Sequence, residues 1–283
     1  MRFVSFALGG FPLYGKVEGD GIVLPTRAYG TAYPSLRAAI AGGALHAFEV
    51  DPHARPVPLA GLALDPVIPD PGKILCAGRN YHAHGDDAGT PEHPPVFIRL
   101  ADSQTGHNAP LLMPAETSDF ELEGELAAII ARPGHRIPVE TALDHVAGYC
   151  CYNDASARDW QRHSDQYTAG KNFPMTGACG PWLVTSDEVG DPNRLKIEAR
   201  VNGVVHQSDT TAGMLFSTAA LIAYLSCFTP LSPGDIVVTG TPARTEAGKG
   251  QDRLLKTGDV VEIDIERIGV LRNIVTRAGE TPG

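Results

Sequence analysis

Residues 118–130 read Ser118-Asp119-Phe120-Glu121-Leu122-Glu123-Gly124-Glu125-Leu126-Ala127-Ala128-Ile129-Ile130. Asp119, Glu121, Glu123 and Glu125 fall at every second position, with Phe120 and Leu122 between them and Leu126 and Ala128 continuing the apolar phase. A period of two is the mark of a β-strand, in which residues two apart share a face. Four carboxylates then line one side, about 7 Å apart between successive Cα atoms. Such a row repels itself, and burial makes matters worse unless positive charge sits among the acids. Two explanations fit. One is a solvated face of an edge strand, where charge opposes aggregation. The other is an oxygen-rich site for a hard cation such as Mg²⁺, Mn²⁺ or Ca²⁺. The next element favours the cation, because HVAGYCCYNDASARDWQ (145–161) is an apolar strand ending in Asn153-Asp154 at the start of a helix. That is a natural position for a third inward carboxylate.

Outward from this stretch, β-type runs predominate, at 73–78, 95–100, 145–153, 182–187, 195–203, 235–240, 260–269 and 270–275. Gly, Pro and Asp separate most of them. Helices are expected over Ser35–Ala47, Ser156–His163 and Ser217–Ser226, the second opened by a Ser156/Asp159 capping box. The chain begins with strand, turn, strand, the turn being Gly19-Asp20-Gly21. The Pro-rich passage 56–73 predicts an extended link. This divides the chain into a small N-terminal domain, 1–70, and a larger one, 71–283. Many strands with few helices argue for an α+β, mostly β, mixed or rolled architecture and against a doubly wound parallel sheet.

Bulk properties exclude several classes. The 283 residues carry a net charge of −10 with no offsetting Lys/Arg run, so nucleic acid is not an expected partner. No run approaches the roughly 18 apolar residues of a membrane span, and the N-terminus reads as a first strand and not a signal peptide. Five cysteines, odd in number and without CxxC spacing, predict free thiols in a reducing cytoplasm.

Several blocks resemble the fumarylacetoacetate hydrolase family. Glu123-Gly124-Glu125-Leu126-Ala127 resembles its ExELA signature, and residues 148–161 its GYxxxNDxSxRDxQ block. Gly170-Lys171-Asn172-Phe173, GPWLVT (180–185), Val201-Asn202-Gly203 with Gln207, Pro233-Gly234-Asp235, Thr239-Gly240-Thr241-Pro242 and Lys256–Asp259 follow in the family's order. Together they span Lys73 to Val275. The resemblance implies a mixed β-roll catalytic domain behind a small N-terminal α+β domain, paired as a homodimer. It implies a divalent cation, Mg²⁺ or Mn²⁺, held by Glu123, Glu125 and Asp154, with Lys171 polarising the ligand. Gly78–Asp87 resembles the GxNYxxH lid, with Arg79 and Tyr81 facing substrate, His84 as general base and Asp87 orienting it; His82 is the alternative base. Gln207, Gly240 and Thr241 are expected to hold substrate, and Arg99 to attract its distal carboxylate.

Departures fall on substrate-facing positions. Ala243–Gly248 replaces a Gly-rich segment, Arg99 stands for the commoner Lys, and Asn172-Phe173-Pro174 for SFD. The expected activity is hydrolysis of a C–C bond in a 2,4-diketo acid of the acylpyruvate type, releasing pyruvate in aromatic or sugar-acid breakdown. Isomerisation of a hydroxymuconate-like diacid and decarboxylation of an oxaloacetate-like keto acid use the same site. A non-catalytic metal or organic-acid binding protein is the reading from another class.

Overall fold

Short apolar runs punctuated by Gly and Pro favour extended chain, and strand (38%) outweighs helix (21%) in the fold that results. The computed structural model describes residues 1–82, 89 and 91–277. Among these, an eleven-stranded mixed sheet runs in the order 57–58, 21–23, 11–18, 2–8, 177–185, 146–154, 124–130, 236–238, 74–77 and 96–99, with 104–105 added beside 177–178. A second sheet of five strands runs 204–210, 196–201, 260–265, 269–277 and 110–113. Phe120–Glu121 and Ser156–Ala157 form a separate two-stranded pair.

The strand Gly124–Ile130 is buried on both faces. Leu126, Ala128 and Ile130 pack toward a core shared with Ile197, Ile263 and Leu271 of the second sheet and Leu221 of the helix Thr218–Phe228. Ala127 and Ile129 pack toward the opposite core, with Phe3, Ile40, Cys150 and Tyr152. Parity then fixes the carboxylates. Glu125 is in phase with Ala127 and Ile129, Asp154 is in phase with Cys150 and Tyr152, and the two strands are adjacent, with Glu125 opposite Tyr152. Both acids therefore stand at the end of the same sheet face.

Two helix expectations need correction. The helix expected over Ser35–Ala47 ends at Ala41, because Gly42-Gly43 follows and Gly43 takes a left-handed φ of 63°; a 3-10 turn, Leu45–Ala47, comes after it. The helix expected over Ser156–His163 is reduced to Arg158–Gln161, since Ser156 is paired in register with Glu121. Ser156 is no cap: its hydroxyl donates to the Asp154 carbonyl at 2.8 Å and to Glu123. The Pro-rich link is anchored, with Leu64, Val67 and Ile68 buried and the Ser5 hydroxyl donating to the Val67 carbonyl. The first strands join the large sheet directly, Phe3 opposite Leu183.

At the far edge of that sheet, Ile98 and Leu100 are exposed. Asn172 covers the backbone there, accepting from the Leu100 amide at 2.7 Å and donating to the Ile98 carbonyl at 3.2 Å. The five cysteines are free thiols, and no helix among the described residues is long and apolar enough to cross a membrane.

Candidate metal centre

Glu123, Glu125 and Asp154 converge in the interior, each offering an oxygen within 4.8 Å of the others. The row of four acids read from the sequence splits here. Asp119 and Glu121 turn to an arginine cluster: Arg162 and Arg253 bond Asp119, while Arg158, Arg244 and Arg253 bond Glu121. Glu123 and Glu125 turn inward.

Lys171 closes the inner group from the helix Thr168–Lys171. Its buried ammonium donates to Glu123 and to Asp154 Oδ2, the latter at 2.5 Å, and lies 4.8 Å from the Phe97 ring centroid. Arg99 Nη1 donates to Asp154 Oδ1 at 2.5 Å, and its other nitrogens reach Thr176 and Ser103. Arg158 bridges the two halves of the acidic row, bonding Glu121 through Nε and Glu123 through Nη2.

Charge is unevenly distributed among these acids. Burial would raise the Glu123 pKa, but Arg158 and Lys171 outweigh it and hold that carboxyl well below its usual range. For Glu125, burial comes first and the charges of Asp154 and Glu123 add to it, pushing its pKa well up despite Lys171 and the Gly240 amide. Burial would likewise lower the Lys171 pKa, yet Asp154 and Glu123 raise it, so the ammonium stays charged. A carboxyl pushed toward its neutral form beside one held ionised marks a site short of positive charge. A hard divalent cation suits an all-oxygen set of this kind, and the three acids fit one. They border a cavity of about 90 Å³, together with Arg79, Tyr167 and Thr241.

The structure sorts the remaining expectations. Arg79 lines the cavity with a left-handed φ of 54°. Tyr81 is buried, and its hydroxyl has no hydrogen-bond partner among the described residues; burial, then Glu125 and Asp209, push its pKa well up. His84 and Asp87 lie outside the described residues. Arg99, expected to attract a distal carboxylate, bonds Asp154, Thr176 and Ser103 in the interior. Gln207, Gly240 and Thr241 are also engaged internally. Gln207 accepts from the Gly124 amide and donates to Thr241 Oγ1 and the Pro242 carbonyl. Thr241 in turn donates to the Gly124 carbonyl, and the Gly240 amide donates to Glu125 at 2.6 Å. These groups shape the centre by bonding one another and its acids. Sequence reasoning missed Arg158 as the bridge between Glu121 and Glu123. Its signal was the charge-rich Arg158-Asp159 pair just after Asp154.

Comparison with known proteins follows the same lines. The model of the fumarylacetoacetate (FAA) hydrolase C-terminal family matches residues 73–276. Oxaloacetate tautomerase YisK of Bacillus subtilis (strain 168) is 42% identical over 221 residues, 76% of this chain and 73% of that protein. The chain spans about two thirds to three quarters of the length of the first curated relatives it matches. Fumarylacetoacetate hydrolase from psychrophilic Exiguobacterium antarcticum superposes with a TM-score of 0.84 at 31% identity, covering 98% of this chain and 100% of that one. Maleylpyruvate hydrolase from Sphingobium sp. SYK-6, in complex with manganese(II) and pyruvate, gives 0.78 at 26% identity with the same coverages. Since the family match runs through every residue of the centre, from Arg79 to Thr241, the chain belongs to the fumarylacetoacetate hydrolase family.

Proposed function

We propose that this chain is a divalent-metal enzyme acting on a small 2-oxo acid, and that interconversion of the keto and enol forms of an oxaloacetate-like diacid is its reaction. The observation that carries the reading is the buried set of Glu123, Glu125 and Asp154 around one charged lysine, in a cavity of about 90 Å³. That space has room for the oxo-acid end of a substrate beside the three acids. A divalent cation held by the three carboxylates would supply Lewis acidity to the 2-oxo acid.

The chain's own residues supply the rest. Lys171 stays protonated, and its ammonium beside the three acids would offset negative charge on the oxo-acid end of a substrate. Arg99 holds one Asp154 oxygen while Lys171 holds the other, so that carboxylate needs no reorientation during turnover. Arg158 does the same for Glu123. Likeness to a curated oxaloacetate tautomerase over three quarters of the chain supports this reading.

C–C hydrolysis of an acylpyruvate, the activity expected from the sequence, is the second reading. The likeness to a maleylpyruvate hydrolase in complex with manganese(II) and pyruvate supports it. That reaction needs an activated water, the role assigned from sequence to His84 with Asp87.

One assay separates the two. Purified protein supplemented with Mn²⁺ is given oxaloacetate, acetylpyruvate and fumarylpyruvate, and both enol absorbance and pyruvate release are followed. Faster enol–keto relaxation of oxaloacetate, lost in Glu125→Ala and kept in His84→Ala, is the expected result. Pyruvate release from a diketo acid, lost in both variants, transfers the assignment to hydrolysis. Tight oxalate binding without turnover of any of the three leaves only a binding protein.

A further inference from the structure

Two cavities share a wall at this site. The inner one, about 90 Å³, borders the three acids and Lys171. The outer one, about 320 Å³, is lined by Arg158, Gln161, Arg162, Ser164, Asp165 and Tyr167. Arg158, Gln161 and Tyr167 line both. Tyr167 holds a left-handed φ of 61° there, a conformation rarely adopted by an aromatic residue, and its ring packs edge-on against Phe97 at 5.8 Å.

The two guanidiniums of the outer hollow differ. Arg158 is committed to Glu121 and Glu123. Arg162 touches Asp119 through Nη2 at 3.1 Å, and its side chain is 66% exposed. Asp119 is itself shared, since Arg253 Nη2 takes its other oxygen at 3.2 Å. Arg253 also bonds Glu121, as Arg244 does, so four arginines face Asp119 and Glu121. The lining of the hollow carries two guanidiniums against one carboxylate, Asp165. The acids behind them balance these charges, so what the rim offers a ligand is the exposed, singly bonded guanidinium of Arg162 beside an oxo-acid chamber.

We infer that Arg162 is a specificity-determining residue that receives the second carboxylate of a dicarboxylic 2-oxo acid, whose oxo-acid end occupies the inner cavity. A guanidinium presents a fork of N–H donors that matches a carboxylate, and Asp119 engages only part of it. Gln161 and Tyr167 belong to the wall that the two cavities share. The inference rests on the 2-oxo acid reading above and adds to it the residue that reads the second carboxylate.

The test is binding of plain 2-oxo acids to the Mn²⁺-supplemented protein by calorimetry. The probes are 2-oxoglutarate and 2-oxoadipate, set against the monoacids 2-oxopentanoate and 2-oxohexanoate of equal chain length. Wild type is expected to prefer the diacids by roughly fivefold, the size of one pair at a half-open rim. Arg162→Gln removes that preference and leaves the monoacids unchanged, and Arg162→Lys restores most of it. A preference that survives Arg162→Gln, or no preference in wild type while both series bind, overturns the inference and spares the oxo-acid reading. If wild type binds neither series, or if Glu125→Ala binds both as wild type does, the oxo-acid reading falls and the inference with it.

Discussion

Arg99 Nη1 stands 2.5 Å from Asp154 Oδ1, and both side chains are withdrawn from solvent. Removing Arg99 leaves the buried Asp154 to Lys171 alone, and breaking a buried pair costs about 3–5 kcal/mol. Arg99→Met should therefore lower the melting temperature of the metal-free protein by roughly 10 °C. Arg99→Lys should fall between, since one ammonium cannot also serve Ser103, Ala155 and Thr176. Melting curves in EDTA decide the matter, and an unchanged Arg99→Met curve would show that the pair is not structural.

Glu125 is the acid that burial and its neighbours keep from ionising. Glutamine matches its shape and keeps an acceptor for the Gly240 amide. Glu125→Gln should then melt within about 2 °C of wild type without metal, yet lose the upward shift that Mn²⁺ gives wild type. Scanning fluorimetry across a Mn²⁺ titration reads both effects. A full manganese shift in the variant removes Glu125 from the ligand set.

His107 gives a pH signature far from the centre. Its Nδ1 accepts a hydrogen bond from the Arg272 amide at 3.0 Å, and burial, with Arg272 adding, lowers its pKa from 6.5 to about 4. The folded state then resists a proton that the unfolded chain accepts. Stability from this residue is complete above about pH 6.5 and is lost as the pH falls toward 4, by about 1–3 kcal/mol given its partial exposure. His107→Asn keeps an acceptor that does not titrate. Urea unfolding at pH 7 and pH 4.5 should show a smaller acid loss in this variant, and equal losses would refute the assignment.

Gln207 joins three segments through one amide. Glu at this position still accepts from Gly124, but it places a carboxylate against the Pro242 carbonyl and ends the donation to Thr241. Gln207→Glu should cost about 2–3 kcal/mol and loosen metal binding through Gly240 and Glu125. Urea midpoints and Mn²⁺ affinity measure the two effects, and a variant unchanged in both would sink this role.

The parity of the acidic strand was legible because period two survives any tertiary arrangement, and the same holds for Asp154 at the end of an apolar run. The strand-rich class followed from runs such as 260–265 and 270–275. What could not be read are relationships between residues distant in sequence. The bond from Arg99 to Asp154 spans 55 positions, and nothing local reveals it. Gln207 and Thr241 bond each other and Gly124 across 34 to 117 positions, which no local pattern shows. The split of Asp119 and Glu121 from Glu123 and Glu125 depends on arginines from 158–162 and 244–253, which no periodicity ties to that strand.

Asn172 has a consequence for how copies of this molecule can meet. Strand Val96–Arg99 ends the large sheet, and apolar Ile98 within it and Leu100 just after it would invite a neighbouring strand. The Asn172 amide already holds the Ile98 carbonyl and the Leu100 amide, so an incoming chain must first evict it. Sideways growth of the sheet is blocked at this end, and Ile98 and Leu100 can engage another surface only by laying their side chains flat against it.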